Sequence, residues 1–332
     1  MGNHKFKALV VEELNKDVFI LDIKEKSIND LPVGDILVRV KYSSLNYKDA
    51  LSAIGNRGVT KKYPHTPGID AAGIVEDSQI DDFREGDQVI VTSYDLGMNT
   101  SGGFGQYIRV PSQWIVRLPS NLTLKESMIY GTAGFTAGMS VYAINESLKP
   151  ESGDILVTGA TGGVGSISVA ILSELGYSVI AATGKLEERD FLIGLGAKGI
   201  ISRDEAIDIS GRPLLKGRWS GVIDTVGGDI LSTAIKSTKP WGTVTCCGNV
   251  ASPDLPINVL PFILRGVKLI GIDSQNCPME HRLRIWNKLS EEWKCNKLED
   301  IYKEISLEHL KNNIDVMLNG MQKGRIIINL DT

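Results

Sequence analysis

Cysteine is scarce in this chain, with four residues among 332. Cys246, Cys247, Cys277 and Cys295 form no Cys-x-x-Cys pair, so neither a zinc knuckle nor a redox dithiol is indicated. Neighbouring Cys246 and Cys247 fall in an expected buried strand and read as core thiols, which suits a reducing cytoplasm. Histidine is equally sparse, and His65, His281 and His309 show no ligand spacing. No apolar stretch is long enough to span a bilayer, so no membrane partner is expected. Near the start, polar Asn3-His4-Lys5 precedes only the short run from Phe6 to Val11, which does not read as a secretory leader. Met1-Gly2 could open a myristoylation signal, but Phe6 stands where that signal wants Ser or Thr. The net charge of −4 gives no reason to expect nucleic acid or anionic lipid as a partner. What is left is a globular composition, 42% hydrophobic and 23% charged, long enough for two domains. No repeat, low-complexity segment or linker interrupts it.

Against these absences one stretch stands out, Val157-Thr158-Gly159-Ala160-Thr161-Gly162-Gly163-Val164-Gly165. It follows the apolar run Ile155-Leu156-Val157 and opens Ile167-Ser168-Val169-Ala170-Ile171-Leu172, which predicts strand, Gly-rich turn, helix, with Gly176 as the helix cap. Glycines let the main chain approach a diphosphate, and the free N–H groups of a new helix bind the anion. Ala160, Thr161, Gly162, Gly163 and Val164 are therefore candidate cofactor-binding residues; the plainer alternative is an ordinary strand-to-helix turn. The theme repeats in Tyr177 to Ala182, Gly199 to Ile201, Gly221 to Asp224, Gly242 to Cys247 and Val267 to Ile272. Helical segments lie between most of these, as from Glu187 to Leu195 and from Ile230 to Ser237. Strands alternating with helices predict a doubly wound parallel sheet, an α/β dinucleotide fold.

The end of the second strand of this sheet addresses the choice of cofactor. An NAD-preferring fold places Asp or Glu there to accept the ribose 2′-hydroxyl. Here the chain reads Ala182-Thr183-Gly184-Lys185, and a hydroxyl, a backbone N–H and an ammonium suit a 2′-phosphate instead. Arg203, after the third strand, can stack on adenine or add charge to the same place. NADPH is the expected cofactor. Lys185 as an ordinary solvated residue is the competing reading, in which Glu187 or Glu188 reaches a ribose.

The flanking parts differ in style. Lys7 to Val11, Asp35 to Val40 and Asp87 to Val91 read as strands, separated by Gly, Pro and Asp turns and without long helices between them. An antiparallel, partly closed barrel follows. Leu307 to Met317 then reads as a helix and Gly324 to Leu330 as a final strand. The expected division nests one domain in the other: residues 1–126 and 278–332 form the barrel, and residues 127–277 the nucleotide-binding sheet.

Asn46-Tyr47-Lys48-Asp49, Pro67-Gly68-Ile69-Asp70-Ala71-Ala72-Gly73 and Gly131-Thr132-Ala133-Gly134-Phe135-Thr136-Ala137 together resemble the medium-chain dehydrogenase/reductase superfamily. Ser43 to Ala50, Pro261 to Val267 and Gly271-Ile272-Asp273-Ser274 look like its quinone oxidoreductase branch of YhdH/YhfP type, which contains acrylyl-coenzyme A reductases. The likeness covers nearly the whole chain. It implies a GroES-like barrel beside a Rossmann domain, a zinc-free NADPH-dependent reductase, and a homodimer.

Alcohol dehydrogenases of this superfamily bind catalytic zinc through Cys, His and Cys, at places that carry Asn46, Ile69 and Thr132 here. Ile69 and Thr132 are not plausible ligands, so no metal is expected and alcohol–ketone chemistry is disfavoured. Reduction of a double bond conjugated to a carbonyl remains open, on an acyl-thioester, enone or quinone. Asn46 and Tyr47 are the catalytic candidates: Asn46 as donor to the nicotinamide ribose or the substrate, Tyr47 as proton donor, oxyanion partner or mere packing beside the nicotinamide. Thr132 is expected at the nicotinamide or its ribose, or else as a helix cap. The backbone of Gly248 and Asn249 is a candidate for the carboxamide, and Asp224 sits at a strand end where ligands bind or caps the next helix. Ile263, Leu264 and Ser274 look like family nicotinamide contacts, with core packing equally natural for the first two. Arg325 is a candidate for a phosphate or the substrate, or a surface ion-pair residue. Arg57, Lys61 and Lys62 form a basic loop that either meets coenzyme A phosphates or is simply solvated. A non-catalytic NADPH-binding sensor or structural protein is the competing function; it would not need Asn46, Tyr47 and Asp49.

Overall fold

Lys5–Asn15 turns Phe6, Ala8 and Val11 inward and pairs antiparallel with Val18–Ser27, giving the opening hairpin β1 and β2 of the computed structural model, which describes His4 to Asp331. Met1, Gly2 and Asn3, on which the N-terminal reading partly rests, lie outside the described residues. There follow β3 (Ile36–Ser44), helix α1 (Tyr47–Ala53), β4 (Asp70–Ser78), β5 (Gln88–Thr92), β6 (Tyr107–Val110) and β7 (Ile115–Arg117). Helix α2 (Leu124–Ser147) is broken at Gly131, whose φ of 49° and ψ of −155° are not helical.

The parallel part comes next: β8 (Ile155–Thr158), α3 (Gly163–Glu174), β9 (Val179–Thr183), α4 (Arg189–Gly194), β10 (Gly199–Ser202) and β11 (Trp219–Asp224). It ends with α5 (Gly228–Lys236), β12 (Thr238–Cys246), α6 (Leu260–Arg265) and β13 (Lys268–Gly271). The chain closes with α7 (Met279–Ser290), α8 (Leu298–Ile301), β14 (Tyr302–Ser306), α9 (Leu310–Leu318) and β15 (Arg325–Asn329). Two compact units result. The first holds the described residues up to Thr132, with Gln275–Ser290 and those from Leu298 onward; the second holds Ala133–Ser274 and Glu291–Lys297.

In the first unit the strand order is β14-β15-β3-β4-β5-β7, with β6 also paired to β3. Bridges Ala8–Gly105 and Val11–His65 tie the hairpin to this sheet. Val38, Val40, Ala71, Val89, Val91, Ile108 and Ile328 fill one buried cluster, a continuous apolar interior of the kind that drives folding. The pairing is antiparallel except for β14 with β15, which is parallel, a departure from the all-antiparallel expectation. β2, β4, β6, β7 and β14 are strands that periodicity did not single out.

The second unit is a fully parallel sheet ordered β10-β9-β8-β11-β12-β13. Its central strands β8 and β11 are buried throughout, as sheets covered on both faces require. The five expected strands after β8 all form, within one to four residues of their expected limits. Expected helices tighten at their ends: Leu186–Glu188 and Leu307–His309 are 3-10 turns leading into α4 and α9, a common way to start a helix.

Candidate functional site

The first unit brings four distant segments together on one carboxylate. Asp70, the first residue of β4, is fully buried. Its Oδ1 accepts the Thr132 hydroxyl at 2.6 Å and the Thr132 amide at 3.0 Å. Its Oδ2 accepts Ser44 Oγ at 2.6 Å, Asn46 Nδ2 at 2.7 Å and the Thr132 amide at 2.9 Å. Arg325, the first residue of β15, is only 2% exposed and lies with its NH2 group 3.7 Å from Asp70 Oδ2. The guanidinium donates to Ile129 O, Leu45 O, Asn46 Oδ1 and Ser44 Oγ at 2.7–3.2 Å. A surface ion pair is thereby excluded for Arg325. Its donors are committed inside the protein, so its expected grip on a phosphate or substrate is revised to a structural one. Gly131 is required here, because a side chain would run into Asp70 and Ser44, and its φ is positive.

Asn46 caps α1, and its side chain is 8% exposed. Both amide protons point inward, to Asp70 Oδ2 and to Ser44 O, and Oδ1 accepts from Arg325. A primary amide has two N–H donors, so none is left to reach outward. The expectation that Asn46 donates to a ribose or substrate is corrected accordingly. Tyr47, the first residue of α1, is 40% exposed, and its hydroxyl has no partner among the described residues. Thr132 is half-buried, with Ser93 Oγ 2.9 Å from its Oγ1. Ser93 and its neighbour Tyr94 have φ of 65° and 50°, a conformation non-glycine residues adopt at a cost and often near functional sites.

Beneath α1, buried Asp49 accepts the amides of Asn46 (2.8 Å), Gly68 (3.1 Å) and Ile69 (2.8 Å). Burial, and then the charge of Asp70, push its carboxyl up to about 7. Sequence reasoning left Asp70 without a role and counted Asp49 only among the residues that a non-catalytic protein would not need. The available signal was a carboxylate inside the apolar run from Ile69 to Ala72.

Zinc fits none of this. Among the described residues no group of three His, Cys, Asp or Glu side chains is placed to hold a metal ion. Ile69 is apolar and buried, Asn46 and Thr132 are tied to Asp70, and a guanidinium already supplies the buried positive charge.

In the second unit the turn after β8 carries the features of a diphosphate site. The first α3 bond runs from Ser166 N to Gly162 O (2.9 Å), leaving the amides of Gly163, Val164 and Gly165 without an intrahelical acceptor. Gly162, Gly163 and Val164 are half-exposed, while Ala160 and Thr161 are buried beneath them. A side chain at Gly165 would strike Ala160 Cα at 2.7 Å and the Gly159 carbonyl, so the helix can approach the strand only through glycine. At the end of β9, Thr183 Oγ1 accepts the Lys185 amide at 3.0 Å and lies 3.3 Å from Thr161 Oγ1. The guanidinium of Arg203 covers Gly184, whose missing side chain leaves it room. It is exposed and makes no ion pair or hydrogen bond among the described residues. Thr183, Gly184, Lys185 and Arg203 thus form one cluster that suits a 2′-phosphate.

Gly248 and Asn249 follow β12, half-buried and exposed respectively, and Ser274 is half-buried beyond β13. Ile263 and Leu264 are 68% and 63% exposed, which overturns core packing for both. Asp224 accepts Thr158 Oγ1 at 2.7 Å and the amides of Val226 and Gly227 at 3.2 and 2.8 Å, holding the turn that leads into α5. Cys246, the last residue of β12, and Cys247 after it are half-buried, with Cys246 packed against the core of this unit. Arg57 pairs with Glu13 at 2.5 Å and lies over the rings of Phe19 and Tyr63, and Lys61 and Lys62 are exposed.

Residues 32–120 match the alcohol dehydrogenase GroES-like domain, and residues 163–291 match the family described as zinc-binding dehydrogenase. YhfP of Bacillus subtilis, described as a quinone oxidoreductase, is 44% identical over 98% of this chain and 99% of its own. Its crystal structure with NAD bound superposes with a TM-score of 0.95 over 98% of this chain and all of that one, at 43% identity. The acrylyl-CoA reductase AcuI of Ruegeria pomeroyi is 41% identical over 98% of this chain and 99% of its own. The YhdH oxidoreductase of Salmonella enterica, solved in complex with NADP, gives a TM-score of 0.94 at 38% identity, covering 97% of this chain and 99% of that one. The chain therefore belongs to the medium-chain dehydrogenase/reductase superfamily, in its YhdH/YhfP-type branch of quinone oxidoreductases and acrylyl-coenzyme A reductases.

Proposed function

We propose that the protein is a zinc-independent, NADPH-dependent reductase of double bonds conjugated to a carbonyl, acting in the cytoplasm on acryloyl-coenzyme A-like thioesters, enones or quinones. The observation that carries this reading is the donor set around Asp70. The three places that hold zinc in alcohol dehydrogenases offer an amide, an alkyl group and a hydroxyl, all turned to other work. Without a Lewis acid to ionise an alcohol, the chemistry left to this site is addition of hydride to an already polarised bond. The names of YhfP and AcuI and the NADP bound to YhdH support the same class.

When bound, the cofactor supplies the hydride, which adds to the β-carbon of the acceptor. The amides at the start of α3 hold its diphosphate, and Lys185 and Arg203 hold the 2′-phosphate. The electron pair of the double bond moves toward the carbonyl, and the α-carbon takes a proton. Tyr47 offers the unengaged O–H, either to that carbon or to the developing enolate oxygen. Asn46 and Thr132 shape the site without donating outward.

The test is NADPH oxidation with acryloyl-coenzyme A, crotonyl-coenzyme A, acrolein and a naphthoquinone, with and without chelator. Activity on at least one acceptor, unchanged by chelation, is expected. Tyr47→Phe should lower turnover by about 10²-fold if the phenol delivers the proton, with little change in NADPH affinity. A parental rate in Tyr47→Phe removes the hydroxyl from the mechanism. Inactivity of the parent on every acceptor favours a non-catalytic NADPH-binding protein, and one zinc per chain lost together with activity overturns the metal-free reading.

A further inference from the structure

We propose that Thr225, a residue with no part in the chemistry so far, binds the nicotinamide-side ribose of the dinucleotide through a hydroxyl that can only accept. The assignment deepens the NADPH reading and rests on it, and every residue it uses belongs to the second unit.

Thr158 is the last residue of β8, and Thr225 directly follows β11. These two strands are neighbours at the middle of the sheet, and the strand order runs outward from them in opposite directions. In an open parallel sheet a ligand lies beyond the carboxyl ends of the strands at such a reversal.

The hydrogen bonds at this place form a closed set. Thr225 Oγ1 lies 3.0 Å from Thr158 O, and a carbonyl only accepts, so the single Thr225 hydroxyl proton goes to it. The Thr225 amide donates to Thr158 Oγ1 at 3.1 Å, and Thr158 Oγ1 in turn donates to Asp224 Oδ1 at 2.7 Å. Asp224 Oδ2 takes the amides of Val226 and Gly227. The Cys247 amide, 3.1 Å from Asp224 O, fastens the end of β12 to that of β11. Thr225 is half-buried, and among the described residues no donor meets the lone pairs of its hydroxyl oxygen.

Two turns close on this one side chain. A Cβ at Gly159 would lie 2.3 Å from Thr225 Oγ1, and a Cβ at Gly248 would lie 2.2 Å from Thr225 O. Thr225 therefore stands against both the diphosphate turn and the turn after β12. Its hydroxyl has no proton left for a phosphate, whose oxygens also only accept; it suits a donor. Across the sheet, the 2′-phosphate cluster lies at β9 and β10, the diphosphate turn at β8, and Gly248 and Asn249 after β12. A dinucleotide laid along that order brings the ribose beside the nicotinamide to β11. The donors of this sugar are its 2′- and 3′-hydroxyls.

The test compares the parent, Thr225→Val and Thr225→Ser for the dissociation constants of NADPH, 2′-phospho-ADP-ribose and adenosine 2′,5′-bisphosphate, by calorimetry. The bisphosphate ends before the second ribose, and 2′-phospho-ADP-ribose carries that ribose without the nicotinamide. Thr225→Val keeps the shape and removes the hydroxyl. It is expected to weaken NADPH and 2′-phospho-ADP-ribose alike, by about fivefold to tenfold, the size of one hydrogen bond, and to leave the bisphosphate within about twofold. Thr225→Ser should bind all three as the parent does. A loss shared by the bisphosphate marks a general disturbance of the diphosphate turn, and a loss confined to NADPH puts the hydroxyl at the carboxamide. Either outcome overturns the proposal, as does parental affinity of Thr225→Val for 2′-phospho-ADP-ribose. Should Thr225→Val fail to fold, the parent decides with an NADPH analogue whose nicotinamide-side ribose is 2′,3′-dideoxy. This analogue should bind at least about fivefold more weakly than NADPH, and equal affinity refutes the contact. If the parent reduces no conjugated acceptor, the reductase reading fails by itself, and the affinities still decide the role of Thr225.

Discussion

Two carboxylates and one guanidinium sit within a few residues' reach in a dry interior, and their charges do not balance if all three are ionised. Arg325 faces Asp70 directly, whereas Asp49 has backbone amides as its bonded partners. Amides offset part of the burial cost, but burial and the neighbouring charge win, and the Asp49 carboxyl is pushed up to about 7. The sign of the consequence is fixed. A carboxyl raised above its ordinary value contributes stability that is complete below about pH 4 and is lost as pH rises through about 7. Asp49→Asn removes the titration while keeping one oxygen for the amides of Gly68 and Ile69. The stability advantage of the parent over this variant should therefore shrink between pH 5 and pH 8, by roughly 3 kcal/mol. Urea unfolding at the two pH values measures it; a difference that stays constant means Asp49 is ionised throughout. The same triad shows where sequence reading stops. Asn46, Tyr47 and Thr132 were visible as candidates, but their donors and acceptors were not. Thr132 and Asp70 are 62 positions apart, and Asp70 and Arg325 meet only because β4 and β15 flank β3. No local pattern carries that information.

At the scale of elements the parallel sheet was the more legible half. Its strands are short and Gly-punctuated, the central ones are buried, and helices follow most of them, so periodicity and turn chemistry agree. The barrel was harder. β2 and β14 are half-exposed or mixed along their length, and pairing partners, not the pattern along the strand, decide that they form. Where register matters most is the pair β9 and β10. Parallel pairing sets Ser202 beside Thr183, so the residues after each strand, Gly184 and Arg203, emerge together. That register, and not Lys185 alone, builds the positive cluster. Arg203→Ala is expected to weaken NADPH by tenfold or more and to leave NADH nearly unchanged, since a charge-assisted contact contributes on the order of 1.5–3 kcal/mol. Titrations of both cofactors against parent and variant settle it. The comparison has an edge to it, because the similar YhfP was solved with NAD. Equal affinities for the two cofactors in the parent would mean that the cluster binds no phosphate.

At the scale of the whole molecule the question is what covers the open ends of the parallel sheet. Its order leaves β10 and β13 at the edges. β10 is half-buried at every position, but β13 exposes Lys268 and Gly271 and keeps only Leu269 and Ile270 partly covered. An unpaired edge of this kind recruits another strand unless it is shielded. The shield is not polar. Around it stand Trp241, Val259, Ile263 and Leu264, exposed by 75%, 63%, 68% and 63%, and the Trp241 ring lies against Gly266 just before the strand. Exposed apolar groups gathered beside an open edge mark a surface that is buried in an assembly. Pairing of β13 with its own copy across a two-fold axis would close the edge and cover these side chains at once. We therefore expect a homodimer at micromolar concentration by light scattering. Ile263→Asp together with Leu264→Asp should shift it toward monomer without loss of secondary structure, since both side chains are exposed within one chain. A parent that scatters as a monomer under these conditions would leave this apolar surface without its second copy and refute the pairing.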